Sequence, residues 1–233
     1  MWLRSNWFSR LPALRHAHKE EALELFANIV VSGLLTGLIY GLMALGLSAI
    51  FGVVRVVNFA HGDMLVVGMY LVLTLSEKAG LHPLFALPFL AFFMFIFGYL
   101  LQFWLVDRFL GKSDHVQFLL LLGVAMILTN LCLMLFGPDA RSLSVPESFE
   151  SYNVGFLVID KVRLLAALTA GICALLLWLF FGKTITGKAI RACADNRLGA
   201  QVVGLNVRKL YAITFGVGSA SLGGDSSFII DAG

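Results

Sequence analysis

The sequence predicts an all-α, polytopic transmembrane helical bundle of about six spans. Of its 233 residues, 59% are hydrophobic and only 13% are charged, whereas a soluble domain of this length is far more polar. Apolar runs of about 20 residues recur along the chain, and that is the length at which a helix crosses a bilayer. The 23 Gly and 20 Phe also suit membrane helices, which tolerate Gly and pack through it.

The elements are expected in a simple order. Residues 1–25 form a polar, basic tail, which we interpret as uncleaved because the apolar run after it is too long for a signal peptide. Residues 139–161 contain Tyr, Asn, Val and Gly and would allow a small pair of strands. The expected spans are 26–54, 64–76, 84–106, 116–136, 162–181 and 210–230.

A stripe of small residues marks the first span. Gly33, Gly37 and Gly41 fall four residues apart and therefore share one helix face. The absence of side chains on that face would let another backbone come close, as in small-xxx-small packing of membrane helices. We therefore predict that these glycines pack helices together.

The first span is followed by a polar interruption. Arg55 ends a valine-rich segment, and the sequence Asn58-Phe-Ala-His-Gly-Asp63, called the knot below, precedes renewed apolar residues from Met64. Lipid cannot satisfy the polar groups of such a knot. We expect a broken or re-entrant segment near 52–63 at membrane depth, with the rest of the chain packed around the stretch 33–63.

The distribution of Lys and Arg indicates an orientation. The loop 183–209 holds six Lys or Arg against one Asp, which places it in the cytoplasm by the positive-inside rule. Alternation then puts 107–115 and the knot on the inner side, and 77–83 and 139–161 outside. It also puts the N-terminus outside, against the four basic residues of the tail, so the sequence leaves that placement open.

Several kinds of chemistry are not expected. Three Cys give no disulfide framework, and the five His lack the recurring spacing of a zinc site. The run Gly182 to Ala189 has P-loop spacing, but Ala189 stands where that motif needs Ser or Thr for magnesium. We expect no catalytic residue, no metal, no cofactor and no nucleic-acid partner, and any ATP hydrolysis would occur on another chain.

The basic loop contains an amphipathic segment, GKAIRACADNRLGAQVVGLNV at 187–207. Its apolar positions suit one face of a short helix. Such a helix could lie on lipid headgroups or dock onto a soluble partner, or it could be a plain positive-inside anchor. The positions expected on one face are Ile190, Ala194, Leu198, Val202 and Leu205.

Two segments resemble the permease subunits of branched-chain amino-acid ABC importers, a family that also includes permeases for urea and short amides. The first is IYGLMALGL at 39–47 followed by VVRVVNFAHGD at 53–63, and the second is 187–207 followed by YAITF at 211–215. The resemblance covers roughly residues 26–222. It implies a multi-pass subunit of the bacterial inner membrane that pairs with a second homologous permease and two ATPases. Its substrate would come from a periplasmic binding protein.

The resemblance also assigns roles. Residues 26–233 become a permease domain, 183–209 a cytoplasmic coupling loop, 194–206 the coupling helix, and 139–161 the loop that faces the binding protein. Leu198-Gly-Ala200 stands where many relatives carry a Glu-Ala-Ala-like pattern. The residues expected to serve ATPase coupling are Ile190, Arg191, Ala194, Arg197, Leu198, Val202, Gly204 and Leu205.

The knot would lie near the translocation path. Ionisable residues at membrane depth are functional candidates by default, and the candidates here are Arg55, Asn58, His61 and Asp63. The alternative is structural: Asn58 and Asp63 would cap broken helix ends, and Arg55 would reach the inner surface.

The end of the chain departs from the family pattern. Relatives continue with a small-residue helix and further spans, whereas here Asp225 and Asp231 stand where membrane residues are expected. We expect a C-terminally truncated or frame-altered product, with the break after about residue 222. Besides the importer subunit for branched-chain amino acids, urea or amides, two alternatives stay open: an ion-coupled secondary transporter or channel, and a non-functional membrane fragment.

Overall fold

The computed structural model describes residues 11–80, 83–139, 151–154 and 157–229. The first ten residues of the predicted tail, and Asp231 at the C-terminus, lie outside the described residues. The described part consists of eight α-helices and one β-hairpin, which confirms the all-α prediction. The helices are α1 (Leu11–Val54), α2 (His61–Ala79), α3 (Pro83–Leu100), α4 (Asp114–Phe136), α5 (Lys161–Lys183), α6 (Ile185–Asp195), α7 (Arg197–Val202) and α8 (Val207–Ile229).

Helix α1 crosses the predicted boundary between tail and first span without a break. It continues without interruption over 44 described residues. The part that is long and apolar enough to cross a membrane begins at Leu23 and ends at Val54. The boundary expected near residue 25 therefore lies inside a continuous helix.

Four helical segments of the described chain are long and apolar enough to span a bilayer: Leu23–Val54, Phe85–Phe109, Asp114–Phe136 and Lys161–Lys183. The expected spans 64–76 and 210–230 correspond to α2 and α8, which are not among them. Helix α2 has polar residues at both ends, and α8 is rich in Gly and Ser. Both helices therefore fall short in mean hydropathy.

Helix α8 is the element around which the others pack. It contacts α1, α2, α3, α5, α6 and α7, and Ala212, Phe215 and Leu222 along it are fully buried. A helix surrounded by protein needs no lipid-facing apolar coat, which accounts for its low hydropathy. The expectation that the chain packs around 33–63 is therefore wrong, since that central position belongs to α8.

Close helix packing uses other glycines than those predicted. A Cβ placed at Gly46 would lie 2.5 Å from the Gly218 carbonyl oxygen, so α1 and α8 cross in backbone contact. A Cβ at Gly33, Gly37 or Gly41 would meet nothing within 4 Å. Helix α8 crosses α1 beyond these three glycines, so their predicted packing role finds no partner among the described residues and stays a prediction.

The predicted strand pair is present at one end of the bundle. Strands β1 (Ser151–Val154) and β2 (Leu157–Asp160) pair in antiparallel register. The Val158 amide donates to Asn28 Oδ1 at 2.8 Å, and Arg163 Nη1 donates to Ser32 Oγ at 2.6 Å. Asp160 caps α5 by accepting from the Val162 amide at 2.9 Å. These contacts fix the hairpin to the first half of α1.

Candidate functional site

The chain reverses direction after α1 and returns into the bundle. The His61 ring nitrogen Nε2 lies 3.3 Å from the carbonyl oxygen of Met43. Met43 precedes the last residue of α1, Val54, by eleven residues, which corresponds to about 16 Å along a helix axis. Helix α2 therefore starts well inside the bundle, and the expected broken, re-entrant segment is present.

Two knot side chains are buried with unused hydrogen-bonding atoms. Asn58 and His61 are each 2% exposed, and Asn58 Oδ1 and His61 Nδ1 have no partner among the described residues. Asn58 Nδ2 donates to the Met64 sulfur at 3.6 Å, its one partner among the described residues. Unpaired buried polar atoms are uncommon in native proteins, and each asks for an explanation such as water, ligand or a second conformation.

The alternative that Asn58 and Asp63 cap broken helix ends does not match the observed start of α2. The N-cap position of α2 is Ala60, and no side chain caps this end. Asp63 lies in the first turn of α2, where a carboxylate interacts favourably with the helix dipole. Its Oδ1 accepts a 2.6 Å hydrogen bond from Thr129 Oγ1 of α4, so Asp63 joins two helices.

Arg55 occupies the joint between α1 and the knot. Its φ is +60°, and it is the one non-glycine residue with positive φ in the described part of the chain. Its side chain is exposed, and Nη2 lies 3.4 Å from the carbonyl oxygen of Ala194 in α6. Arg55 therefore connects the predicted path segment to the predicted coupling loop.

The sequence interpretation missed Gln102. This residue is fully buried, and neither its Nε2 nor its Oε1 has a partner among the described residues. It lies in a π-helical turn, Leu101–Leu105, that follows α3, and π-turns are frequent at functional sites. Leu101 and Leu105 pack on the core around Ala60 and Met64. The available signal was a lone amide within an otherwise apolar span.

The coupling loop forms two short helices instead of one. Asn196 is extended between α6 and α7, with φ −145° and ψ 99°, and its Oδ1 caps α7 by accepting from the Gly199 amide at 2.9 Å. Thr184 caps α6 in the same way through the Gly187 amide at 2.9 Å. Gly204, at φ +85°, terminates the segment after α7.

This break corrects the predicted apolar face. Ile190 is fully buried, whereas Leu198 is 74% and Val202 87% exposed. The five positions therefore do not share one face, because the extended residue Asn196 rotates α7 relative to α6. Val203, 74% exposed, joins Leu198 and Val202 in an apolar surface that we call the α7 tip.

The buried side of the loop packs against the end of α1. One core combines Val53, Val54 and Val56 with Ile190, Cys193, Ala200 and Tyr211, and Ala194 and Leu205 pack on it. Burial raises the pKa of the Cys193 thiol. Of the two basic residues predicted here, Arg191 reaches the Gly182 carbonyl at 3.4 Å and Arg197 lies 5.8 Å from the Tyr211 ring.

The end of α1 with Arg55, the loop 107–115 and the loop 183–209 meet at one end of the bundle. A cavity of about 490 Å³ is lined by residues of α1, of the segment 110–117 and of 193–198. Arg208 adds an ion pair with Asp107, with Nε 2.8 Å from Oδ2. The two loops therefore share one end of the bundle, and the side of the membrane on which that end lies stays a prediction.

Comparison with known proteins decides the family. The sequence model of the branched-chain amino acid transport system / permease component family matches residues 29–224. The chain belongs to this family. Within the described residues no group of His, Cys, Asp and Glu could hold a metal ion.

Individual members of the branched-chain amino acid permease family are similar over most of this chain. The permease protein BraD of Pseudomonas aeruginosa, named for high-affinity branched-chain amino acid transport, is 26% identical over 205 residues, covering 82% of this chain and 66% of the relative. LivH of Escherichia coli, named for the same transport, is 23% identical over 212 residues, covering 84% and 67%. A probable branched-chain amino acid permease LivH of Methanocaldococcus jannaschii is 30% identical over 196 residues, covering 81% and 60%.

The match spans about two thirds of the length of these relatives. No solved structure matches the chain. All three relatives are named as transport permease proteins, so the family is one of transporters rather than enzymes. With its apolar helices, the chain is a multi-pass membrane protein.

Proposed function

We propose that this chain is the membrane-spanning permease subunit of an ATP-driven importer for branched-chain amino acids or related small solutes such as urea and amides. It would act in the bacterial inner membrane with a second homologous permease, two ABC ATPases and a periplasmic binding protein. The relatives named for branched-chain amino acid transport support this substrate class.

One observation carries the ATP-driven part of the proposal. The α7 tip exposes three apolar side chains, Leu198, Val202 and Val203, on a loop whose other side is held in the core with the end of α1. Exposed apolar anchors on a short helix suit insertion into a groove of a soluble partner. The ATPase is that partner, and its movement would reach the knot through the shared core.

The knot supplies the path. Asn58 and His61 have unused polar atoms in an apolar surrounding, and Gln102 adds an amide with two more. Polar groups of this kind can hold the charged groups of an amino acid while apolar neighbours accommodate its side chain. In this proposal Arg55 and Asp63 hold the two ends of the knot in place, through Ala194 and Thr129.

The opposite end of the bundle would receive the binding protein. Tyr152 and Val158 of the hairpin are exposed, and the hairpin is tied to α1 through Asn28. The glycine face of α1, with Gly33, Gly37 and Gly41, would meet the second permease, since no other described element of this chain comes within 4 Å of the Cβ positions there.

The test is a crosslink to the ATPase. Leu198→Cys is introduced in a chain with Cys132, Cys173 and Cys193 replaced by Ala, and the membranes also contain the cognate ATPase. A crosslink from position 198 that disappears in Val202→Asp is the expected result, and Tyr152→Cys at the other end is the matched control. Equal crosslinking from both positions, or none in well-inserted protein, would contradict the docking role.

Measurements of substrate uptake then distinguish an ATP-driven importer from a secondary transporter. Proteoliposomes with the complete complex should accumulate radiolabelled leucine only when binding protein and ATP are both present. Uptake that persists without ATP and follows an ion gradient would favour a secondary transporter. Competition by unlabelled urea or acetamide identifies a substrate of the related classes.

A further inference from the structure

Arg55 combines two unusual features that the proposed path alone does not explain. It is held at φ +60°, a conformation that residues with a side chain adopt at an energetic cost and that persists only when the surroundings enforce it. Its guanidinium also contacts the carbonyl oxygen of Ala194 in α6, which lies 139 residues further along the chain.

The contact is made to the end of a helix rather than to an acid. Ala194 is the second-last residue of α6, and the last carbonyls of a helix lack intrahelical partners and form the negative end of its dipole. Within the described residues no carboxylate is ion-paired with Arg55. The guanidinium therefore supplies the positive charge that the C-terminus of α6 favours.

The residues on both sides of Arg55 are anchored in the same core. Val54 and Val56 are buried in the core shared with Ile190 and Cys193 of α6. Beyond Val56 the chain continues into the knot, where Asn58 is buried. We call Arg55 the hinge position, because it joins the end of α1 to the segment that leads into the knot.

Empty space lies on both sides of this hinge. Arg55 lines a cavity of about 330 Å³ together with Phe59 and Phe118, on the side of the knot. It also lines the cavity of about 490 Å³ that reaches Ala194 and Leu198. Arg55 therefore borders both cavities, which leave room for a rearrangement of its side chain.

We propose that Arg55 is a positioning residue that couples displacement of α6 and α7 to displacement of the knot. The inference rests on the proposed function, because it takes the ATPase to be what moves α7. The guanidinium holds the end of α6 against the end of α1. A shift of α6 pulls on Arg55, and the hinge backbone transfers that shift to the knot.

Two variants distinguish the effect of the Arg55 charge from the effect of its backbone conformation. Arg55→Asn removes the guanidinium while keeping a residue that tolerates positive φ, and Arg55→Lys keeps a positive charge. Lys112→Gln is the matched control, because Lys112 borders the same larger cavity but lies over the Phe109 ring, 4.7 Å from its centroid.

The first measurement is the number of ATP molecules hydrolysed per molecule of leucine imported by the complete complex in proteoliposomes. Arg55→Asn should raise this ratio about tenfold, within the usual range of coupling between sites. Arg55→Lys should restore it in large part, and Lys112→Gln should leave it at the wild-type value. A wild-type ratio in Arg55→Asn, or an equal rise in Lys112→Gln, would overturn the proposal.

The second measurement needs no ATPase. Cys193, next to Ala194 in α6, is 1% exposed, so its rate of maleimide labelling reports whether α6 stays packed on α1. With Cys132 and Cys173 replaced by Ala, Arg55→Asn should raise the labelling rate about tenfold, and Lys112→Gln should not. An unchanged labelling rate in Arg55→Asn would overturn the proposed contact that holds α6 on α1. This outcome does not depend on transport. A complex without ATP-dependent import would instead contradict the proposed function.

Discussion

Gly46 and Gly218 bring the backbones of α1 and α8 into contact. A Cβ on Gly218 would lie 2.7 Å from the carbonyl oxygen of Gly46, and the reverse substitution is equally crowded. Protein interiors are closely packed, so an added side chain at such a crossing forces the helices apart. This crossing places α8 in the middle of the bundle and next to the knot.

The crossing predicts that the loss of stability caused by a Gly→Leu substitution depends strongly on its position in the helix. Gly218→Leu should lower the stability of the detergent-purified chain by about 1–3 kcal/mol, the usual cost of overpacking. Gly37→Leu is the matched control, since nothing lies within 4 Å of its Cβ position. Thermal midpoints from size-exclusion profiles after heating provide the measurement, and an equal loss in both variants would contradict the crossing.

The hydrogen bond between Asp63 and Thr129 predicts coupling between α2 and α4. Thr129→Val should lower the free energy of unfolding by about 1.5–3 kcal/mol, as expected for a hydrogen bond to a charged group. In an Asp63→Asn background the same substitution should cost clearly less, which a double-mutant cycle measures. Thr169→Val is the control, because the hydrogen bonds of the Thr169 hydroxyl among the described residues go to carbonyls of its own helix. Additive effects of the pair would show that the bond contributes nothing.

Replacement of Gln102 by an apolar residue should stabilise the chain but impair transport. Its buried amide has no partner among the described residues, so Gln102→Met should raise the free energy of unfolding by about 1–3 kcal/mol, the cost of an unsatisfied polar group. Leucine uptake by the complex should fall, because a polar group of the proposed path is lost. Gln117→Met, which removes an exposed amide bonded to the Lys112 carbonyl, should do neither. A loss of stability in Gln102→Met would indicate that the amide is already satisfied.

The Asn196 cap predicts the local stability of α7. Asn196→Ala should reduce the protection of the α7 amides against hydrogen exchange by about 1 kcal/mol, a typical value for an N-cap. Thr184→Ala, which removes the cap of α6, should instead affect the amides at the start of α6. If α7 exchanges at the wild-type rate in Asn196→Ala, the cap does not define this helix.

The burial of the Cys193 thiol predicts how the rate of its labelling by maleimide depends on pH. The thiolate is the reactive form, and burial raises the pKa of Cys193 above the ordinary value of 9.0. In a chain with Cys132 and Cys173 replaced by Ala, the rise of maleimide labelling with pH should therefore lie at higher pH in the folded chain than in the same chain unfolded in detergent. The unfolded chain should reach half of its maximal rate near the ordinary pKa of 9.0. Identical profiles for folded and unfolded chains would contradict the burial of this thiol.

Much of the site could be anticipated because polar residues at membrane depth stand out in an apolar sequence. The interruption after Arg55 predicted a re-entrant knot, and the reversal of the chain there brings His61 back to the level of Met43. The basic loop was equally visible, but its division into α6 and α7 was not, because one extended residue, Asn196, decides it. Gln102 was overlooked because a single amide does not change the hydropathy of a span.

The sequence by itself determined that the chain is helical and spans a membrane, since burial in a bilayer demands long apolar runs. It also determined that the chain belongs to a transport family, since each of the two segments that carry the resemblance is continuous in the sequence. The tertiary structure alone decided which helix is central and which glycines pack. Gly33, Gly37 and Gly41 have the regular spacing, yet Gly46 and Gly218 make the contact. The physical reason is that spacing fixes only the face of a helix on which small residues lie, whereas the place where another backbone crosses that helix depends on the arrangement of the whole bundle.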